Sequence, residues 1–292
     1  MISYLVDLGQ LVAIFGLLAA SLNLLVGYAG LFSVAHAVFF GLGAYTAAHL
    51  ALAVSPDLLL GVLAAALLSG AASLVFALPA LRVRGEYLVI ASLGLQMLGS
   101  TVFTEAQGLT GGYGGLAGIP APSLFGWTLE SREALLAAAL AILILAQFVI
   151  NRLMRGSFGR SLMAIRDSES AAESLGKNVA LIKTLAVALG SALAGAAGAL
   201  FAFQESFVNV ESFTLDQSVL ILAMVIIGGA GTLAGPLAGA ALLLLLPAAL
   251  SFIPHLPPTE LGAVQQLIYG LAMTLLMIFR PAGLLGRSEG GG

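Results

Sequence analysis

The sequence has 292 residues, 60% of them hydrophobic and 9% charged, with a formal net charge of −3 and a mean hydropathy of +1.08. Soluble domains carry ~25% charged residues, and hydrocarbon solvates neither charge nor loose backbone, so this composition describes a polytopic membrane protein. Only two lysines, Lys177 and Lys183, leave no basic surface for nucleic acid; the lack of cysteine excludes disulfides and thiolate metal sites, and the dispersed His36, His49 and His255 point to no metal site.

A membrane-spanning helix needs ~20 mostly apolar residues. Taken in order, the qualifying segments are 5–26, 31–53, 58–80, 86–104, 133–151, 180–203, 216–230, 236–253 and 262–279. The expectation is an all-α polytopic membrane helix bundle with about nine spans, within a range of eight to ten. The N-terminal MISYLVDLGQ lacks a basic region of the signal-peptide type, so the first segment is expected to be a retained helix. Within 31–53, Ser33, His36, Gly41 and Gly43 are candidate positions for a break. The stretch 110–122, TGGYGGLAGIPAP, is dominated by turn chemistry and reads either as a linker or as a lid or partner surface. Tyr113, Phe125 and Trp127 there suit an interfacial anchor. Segments 216–230 and 236–253 are joined by GGAGTLAGP and are kept as two short elements, with a re-entrant arrangement left open.

Nine spans with the C-terminus inside put ten of the eleven basic residues on the inner face, including Arg82, Arg84, Arg152, Arg155, Arg160, Arg166, Lys177, Lys183, Arg280 and Arg287. Arg132 alone lies outside. This asymmetry orients the chain with its N-terminus outside and its C-terminus cytoplasmic. A single domain over 1–287 is expected, followed by a disordered Gly-rich tail at 288–292.

No GxxxxGK[ST] phosphate loop occurs, and no catalytic constellation of nucleophile, base and orienting acid is spaced for chemistry. An ion at the bilayer centre costs ~2.5–3.5 kcal/mol, so embedded charges are functional candidates. The sequence offers almost none; Glu86 reads as a pair or cap for Arg82 and Arg84 at a helix edge. That scarcity argues against an ion-driven carrier. The neutral polar residues Asn23, Ser33, His36 and Gln96 are the candidates for pore lining, set against interhelical hydrogen bonding as the plainer reading. Two rows of small residues, Ser191/Gly195/Ala199 and Gly190/Ala194/Gly198, predict close helix packing, as do Gly235 and Gly239.

The longest polar interruption is 156–178, GSFGRSLMAIRDSESAAESLGKN. Ser170 and Glu173 fit a capping box, Gly176 a left-handed stop, and Asn178 a cap for the next helix. A helix of barely two turns over 168–175 follows, with a small apolar face of Ala171, Ala172 and Leu175. So short a helix needs a surface to pack on. It reads either as an ordinary loop helix or as a knob for a cytoplasmic protein.

These residues resemble the permease subunits of branched-chain amino-acid ABC transporters. GRSLMAIRDSESAAESLGKNVALIKTLA carries the likeness most specifically, supported by GYAGLFSVAHAVFFGLGAYTAA, IIGGAGTLAGPLAGA and IYGLAMTLLMIFRPAGLLG. The resemblance implies a type II-like ABC transporter transmembrane domain in the bacterial inner membrane. It implies a second permease subunit, identical or homologous, two cytoplasmic ATPases and an extracytoplasmic solute-binding protein. ATP and magnesium would sit in those ATPases, so the chain itself would hold no cofactor and be no enzyme. The coupling loop would cover 152–183, with ATPase contacts at Arg166, Asp167, Ser168, Glu169, Ser170, Ala171, Ala172, Glu173, Ser174, Leu175 and Gly176. Permeases for urea, short amides, sugars or other amino acids are the alternative within this class, and a stand-alone secondary carrier the alternative outside it.

Overall fold

The computed structural model describes residues 2–80, 86–124 and 126–250, with Leu267, Gly270, Leu271, Thr274, Leu275 and 283–286. The expectations for Arg82, Arg84, Phe125, His255, most of the span 262–279, Arg280, Arg287 and the tail 288–292 lie outside these residues, as does the side chain of Glu86.

The architecture is an all-α membrane bundle. Its helices are α1 (Ile2–Asn23), α2 (His36–Ala53), α3 (Leu58–Ala80), α4 (Glu86–Glu105), α5 (Gln107–Thr110), α6 (Arg132–Arg155), α7 (Ser157–Asp167), α8 (Glu169–Ser174), α9 (Val179–Glu205), α10 (Leu215–Gly228) and α11 (Gly235–Leu250). Among the described residues six helical segments are long and apolar enough to cross a membrane: Ser3–Tyr28, His36–Ala53, Leu58–Val75, Tyr87–Glu105, Arg132–Arg155 and Val179–Glu205. They coincide with the first six expected spans. The seventh and eighth are the shorter apolar helices α10 and α11.

Burial sorts the helices by depth in the bundle. The apolar window of α1 is 89% buried, against 17% for α4 and 28% for α6. α1 is therefore the central post, while α4 and α6 turn Ile90, Met97, Leu98, Ile144 and Phe148 outward. In a membrane such outward apolar side chains face lipid or another chain, where they cost nothing. At the middle of the bundle Phe213 packs against Phe40, Tyr45, Phe103 and Phe201, with ring centroids 5.3–6.2 Å away.

α9 packs along both α2 and α3, and its small residues explain how. A Cβ on Gly195 would overlap Ser69 and the Ala65 carbonyl of α3, and one on Gly43 would overlap the Gly195 backbone itself. Gly198 lies equally close to the Phe40 carbonyl. The small-residue rows thus serve packing inside this chain, the close helix packing that their spacing predicts. Gly41, read from sequence as a candidate break, sits inside α2, where the Phe103 and Phe213 rings leave no room for a Cβ. The break falls at Ser33, another of the candidates: α1 ends in a π-helical turn over Leu24–Tyr28, and residues 29–35 are irregular before His36 opens α2.

The stretch 106–131 is tied down. Its β1 (Leu116–Ala117) pairs antiparallel with β4 (Phe207–Val208), and β2 (Ser123–Leu124) pairs with β3 (Trp127–Thr128). Ser123 N–H donates to the Pro56 carbonyl at 2.7 Å, and the His49 ring bonds the Leu109 carbonyl. The loop is an ordered cap over one end of the bundle, with Tyr113 and Trp127 exposed on it.

Close approach at α9 generates a test. Gly195→Leu is expected to lower the melting temperature of the detergent-solubilised chain by several degrees, because overpacking a tight contact costs ~1–3 kcal/mol or more. Gly94→Ala, at a position with no neighbouring atoms among the described residues, is expected to leave it unchanged or slightly raised. Equal melting temperatures for the two variants would remove the packing argument.

Candidate functional site

The polar interruption folds into an elbow of two helices between α6 and α9. α7 is amphipathic: Leu162 and Ile165 are buried, Leu162 in a cluster with Tyr28, Ile150 and Met154. α8 follows at once. Its N-cap is Ser168, whose hydroxyl accepts from Ala171 N–H at 3.3 Å. The sequence reading placed the cap at Ser170, within a box with Glu173. The structure corrects this, because Ser168 is the residue with extended backbone (φ −159°) where the chain leaves α7, and a cap needs that non-helical geometry. Ser170 instead lies inside α8, its carbonyl accepting from Ser174 Oγ.

The other end is as expected. Gly176 is left-handed at φ 74°, Gly176 N–H donates to the Glu173 carbonyl at 2.9 Å, and Lys177 N–H donates to the Ala172 carbonyl at 3.1 Å. This pair of bonds is a Schellman closure. Asn178 then caps α9 by accepting from Leu181 N–H at 3.0 Å. The apolar face of α8 divides. Ala172 is 1% exposed and packs on Ile165 and Val179 of the same chain, so it is no outward contact; Leu175 is 78% exposed. Ala171, Glu173 and Ser174 share the exposed side with Leu175.

Two cations bind the elbow to the bundle. Arg166 Nη1 donates to the Gly27 carbonyl at 2.9 Å, in the π-helical turn that ends α1. A widened turn exposes such carbonyls, and here a guanidinium takes one up. Arg166 Nε also reaches Asp167 at 3.4 Å. Lys183 of α9 is nearly buried and pairs with Glu169 of α8 at 2.7 Å. Removing Glu169 would strand the buried Lys183 ammonium, which costs far more than the pair contributes. The pair and Arg166 line a cavity of about 390 Å³ whose other walls include Gly30, Phe32 and Leu88. Sequence reasoning counted Lys183 only as a marker of orientation. The overlooked signal is its spacing: Lys183 follows Val179 by one helical turn, so both lie on the face that meets α8.

The four pore-lining candidates all take part in hydrogen bonds within the chain, three of them to irregular backbone. Asn23 is buried; its Nδ2 donates to the Thr232 carbonyl at 2.8 Å and its Oδ1 accepts from Gly231 N–H at 2.8 Å. It thereby clamps the turn between α10 and α11 onto the end of α1. Gln96 donates to the Phe213 carbonyl at 2.9 Å and accepts from Ser218 Oγ at 3.0 Å, while Ser218 accepts from Ala37 N–H at 2.9 Å. Ser21 Oγ commits its proton to the Leu18 carbonyl, so the buried His36 Nε2–H donates to Ser21, at 2.7 Å. Ser33 is half-buried in the break and accepts from Ala35 N–H at 3.3 Å. Ser21, Ser92 and Ser218, which share the same work, were missed because a serine in an apolar run carries no spacing signal.

At the opposite end of the bundle a second cavity, of about 400 Å³, lies between the starts of α1 and α6 and the end of α9. Arg132 Nη1 pairs there with Asp7. No group of three or more potential metal ligands occurs among the described residues.

Residues 4–279 match the family model described as "Branched-chain amino acid transport system / permease component". The chain is 34% identical over 303 aligned positions to the high-affinity branched-chain amino acid transport system permease protein LivM of Salmonella typhimurium, covering 96% of this chain and 69% of that protein. The LivM protein of Escherichia coli matches with the same identity and coverage. A probable branched-chain amino acid transport permease protein LivM of Methanocaldococcus jannaschii is 24% identical over 237 positions, covering 78% and 68%. No solved structure matches the chain. With its apolar helices this makes it a multi-pass inner-membrane protein, and a permease component rather than a catalytic subunit. The chain belongs to the family of branched-chain amino acid transport system permease components.

Proposed function

We propose that the chain is the transmembrane permease subunit of an ATP-driven importer for branched-chain amino acids: leucine, isoleucine and valine. Two cytoplasmic ATPases would bind and hydrolyse ATP with magnesium, a second permease subunit, identical or homologous, would complete the pathway, and an extracytoplasmic solute-binding protein would deliver substrate. Family membership supports the substrate class. The single structural observation that carries the coupling role is α8, a capped helix with an exposed Leu175 side and a buried anchor through Lys183 and Glu169.

The mechanism follows from that placement. Closure of the ATPase pair would push on α8 from outside the bundle. The Lys183–Glu169 pair and Arg166 would pass the displacement to α9 and to the end of α1, since each bond joins the elbow to a different helix. α9 would rock with α2 and α3, giving alternating access. The basic residues Arg152, Arg155, Arg160, Arg166, Lys177 and Lys183 cluster at the α8 end, which supports a cytoplasmic elbow and an external N-terminus.

Leu175→Arg is expected to abolish co-purification with the ATPases and substrate-stimulated ATP hydrolysis while the permease keeps its melting temperature. Ala172→Arg, by contrast, would put a charge into the Ile165–Val179 contact and destabilise the chain itself. Asn23→Leu is expected to lower stability by about 2 kcal/mol, because the Gly231 amide and Thr232 carbonyl lose their partners. A change in KM for uptake with unaltered stability would return Asn23 to the pore. Uptake of labelled leucine, urea and other amino acids into proteoliposomes, with and without ATP and binding protein, tests the whole reading; leucine entry that ignores ATP would favour a stand-alone carrier.

A further inference from the structure

The cavity at the Asp7–Arg132 end has walls of opposite electrical character. On one side is the last turn of α9, with Gln204 and Glu205, where unpaired helix carbonyls favour a cation. Ser206, at φ 54°, ends the helix immediately after them. On the other side is the first turn of α6, capped by Ser131, where free amides favour an anion and Arg132 adds a full positive charge. Between them Leu11, Leu129, Leu135 and Phe203 supply apolar wall.

The hydrogen bonds inside the cavity are unequally filled. Gln204 Oε1 is buried with no partner, a costly state for an acceptor. Glu205 has no cation within ion-pair distance among the described residues. Asp7 is already matched by Arg132, and Glu130 accepts from Thr128. Arg132 spends one of its five N–H donors on Asp7 and keeps the rest. The α9 wall is therefore short of a positive donor, and the α6 wall is short of an acceptor.

We propose that this cavity is a zwitterion subsite that receives the free α-amino acid at the outer mouth of the permease. The substrate ammonium would sit on Glu205 and Gln204 Oε1, its carboxylate on Arg132 and the α6 amides, and its branched side chain on the leucine and phenylalanine wall. A volume of about 400 Å³ falls in the range of small-molecule sites and exceeds what one leucine fills. The inference rests on the transport reading above and deepens it, naming where substrate first touches this chain.

Saturation-transfer NMR on the full chain in lipid nanodiscs tests it, with leucine, 4-methylpentanoate, which lacks the ammonium, and isopentylamine, which lacks the carboxylate. Leucine is expected to bind, and each one-charge analogue to bind at least on the order of tenfold more weakly. Glu205→Gln is expected to weaken leucine on the order of tenfold, the loss of one charged partner. Gln204→Met is expected to weaken leucine while preserving or raising the melting temperature, since it deletes an orphaned acceptor; a merely structural role would leave leucine affinity unmoved. Unchanged leucine affinity in both variants, analogues that bind as well as leucine, or no leucine binding at all would each overturn the subsite. ATP-dependent leucine uptake by the assembled wild-type complex is measured alongside. Uptake without cavity binding removes the subsite and leaves the transporter; cavity binding without ATP-dependent uptake removes the transport reading.

Discussion

The bundle depends on how it satisfies backbone that is not helical at a depth where water is scarce. Two irregular stretches, the π-helical turn 24–28 at the end of α1 and the turn 229–234 between α10 and α11, meet at Asn23. Hydrocarbon offers no partner to a loose amide or carbonyl, so such backbone persists only where protein groups take it up. One side-chain amide does so here in both directions, donating to Thr232 and accepting from Gly231. Gly27 leaves the room for it, because any Cβ at that position would overlap both Asn23 Oδ1 and the Gly231 amide. The same π-helical turn frees the Gly27 carbonyl for Arg166, so the elbow is fastened to the bundle at the point where α1 is already unwound.

From this fastening the two ends of the molecule acquire different chemistry. At the elbow end the cations are fixed: Arg166 on a carbonyl, Lys183 on Glu169, both at the wall of one cavity. A buried lysine paired with a partly exposed carboxylate holds a geometry more than it adds stability, because desolvation of the lysine offsets much of the attraction. At the other end the ionic groups are more exposed, with Arg132 and Asp7 paired and Glu205 left over. That end is closed by an ordered cap whose short strands join residues 116–117 to 207–208 across the mouth of the bundle.

Much of this was legible in the sequence, and the exceptions share a cause. Hydropathy located the first six spans because burial in lipid acts on every residue of a span. Gly176 and Asn178 were legible because stop and cap chemistry is local. The cap at Ser168 was not, since three serines in SESAAES offer equivalent hydroxyls and only the backbone of the preceding helix decides which one is non-helical. Asn23, His36 and Gln96 are candidates for pore lining, with interhelical hydrogen bonding as the plainer reading. Polarity in an apolar run marks a demand for a hydrogen bond, and it does not say whether a substrate or a distant carbonyl meets it. Their partners lie up to 209 positions away, beyond the reach of any spacing rule. Ala172 fails in the same way: the period of α8 gives its face, while the identity of what covers that face belongs to α7 and α9.

α9 joins these observations into one mechanical element. Its 27 residues rise about 40 Å at ~1.5 Å per residue, from Asn178 at the elbow to Glu205 at the opposite cavity. It is the one described helix with a charged group in each cavity: Lys183 in one, Glu205 in the other. Between them its faces are glycine and alanine pressed against α2 and α3 at backbone distance. Small residues leave few side-chain rotamers to absorb a displacement, and close-packed interiors transmit strain rather than dissipate it. A helix so packed moves with its neighbours as a body or does not move. Under the proposed transport cycle, a push on Glu169 at one end must therefore change the setting of Gln204 and Glu205 at the other, and substrate held there must in turn bias α8, because coupling between two sites is reciprocal.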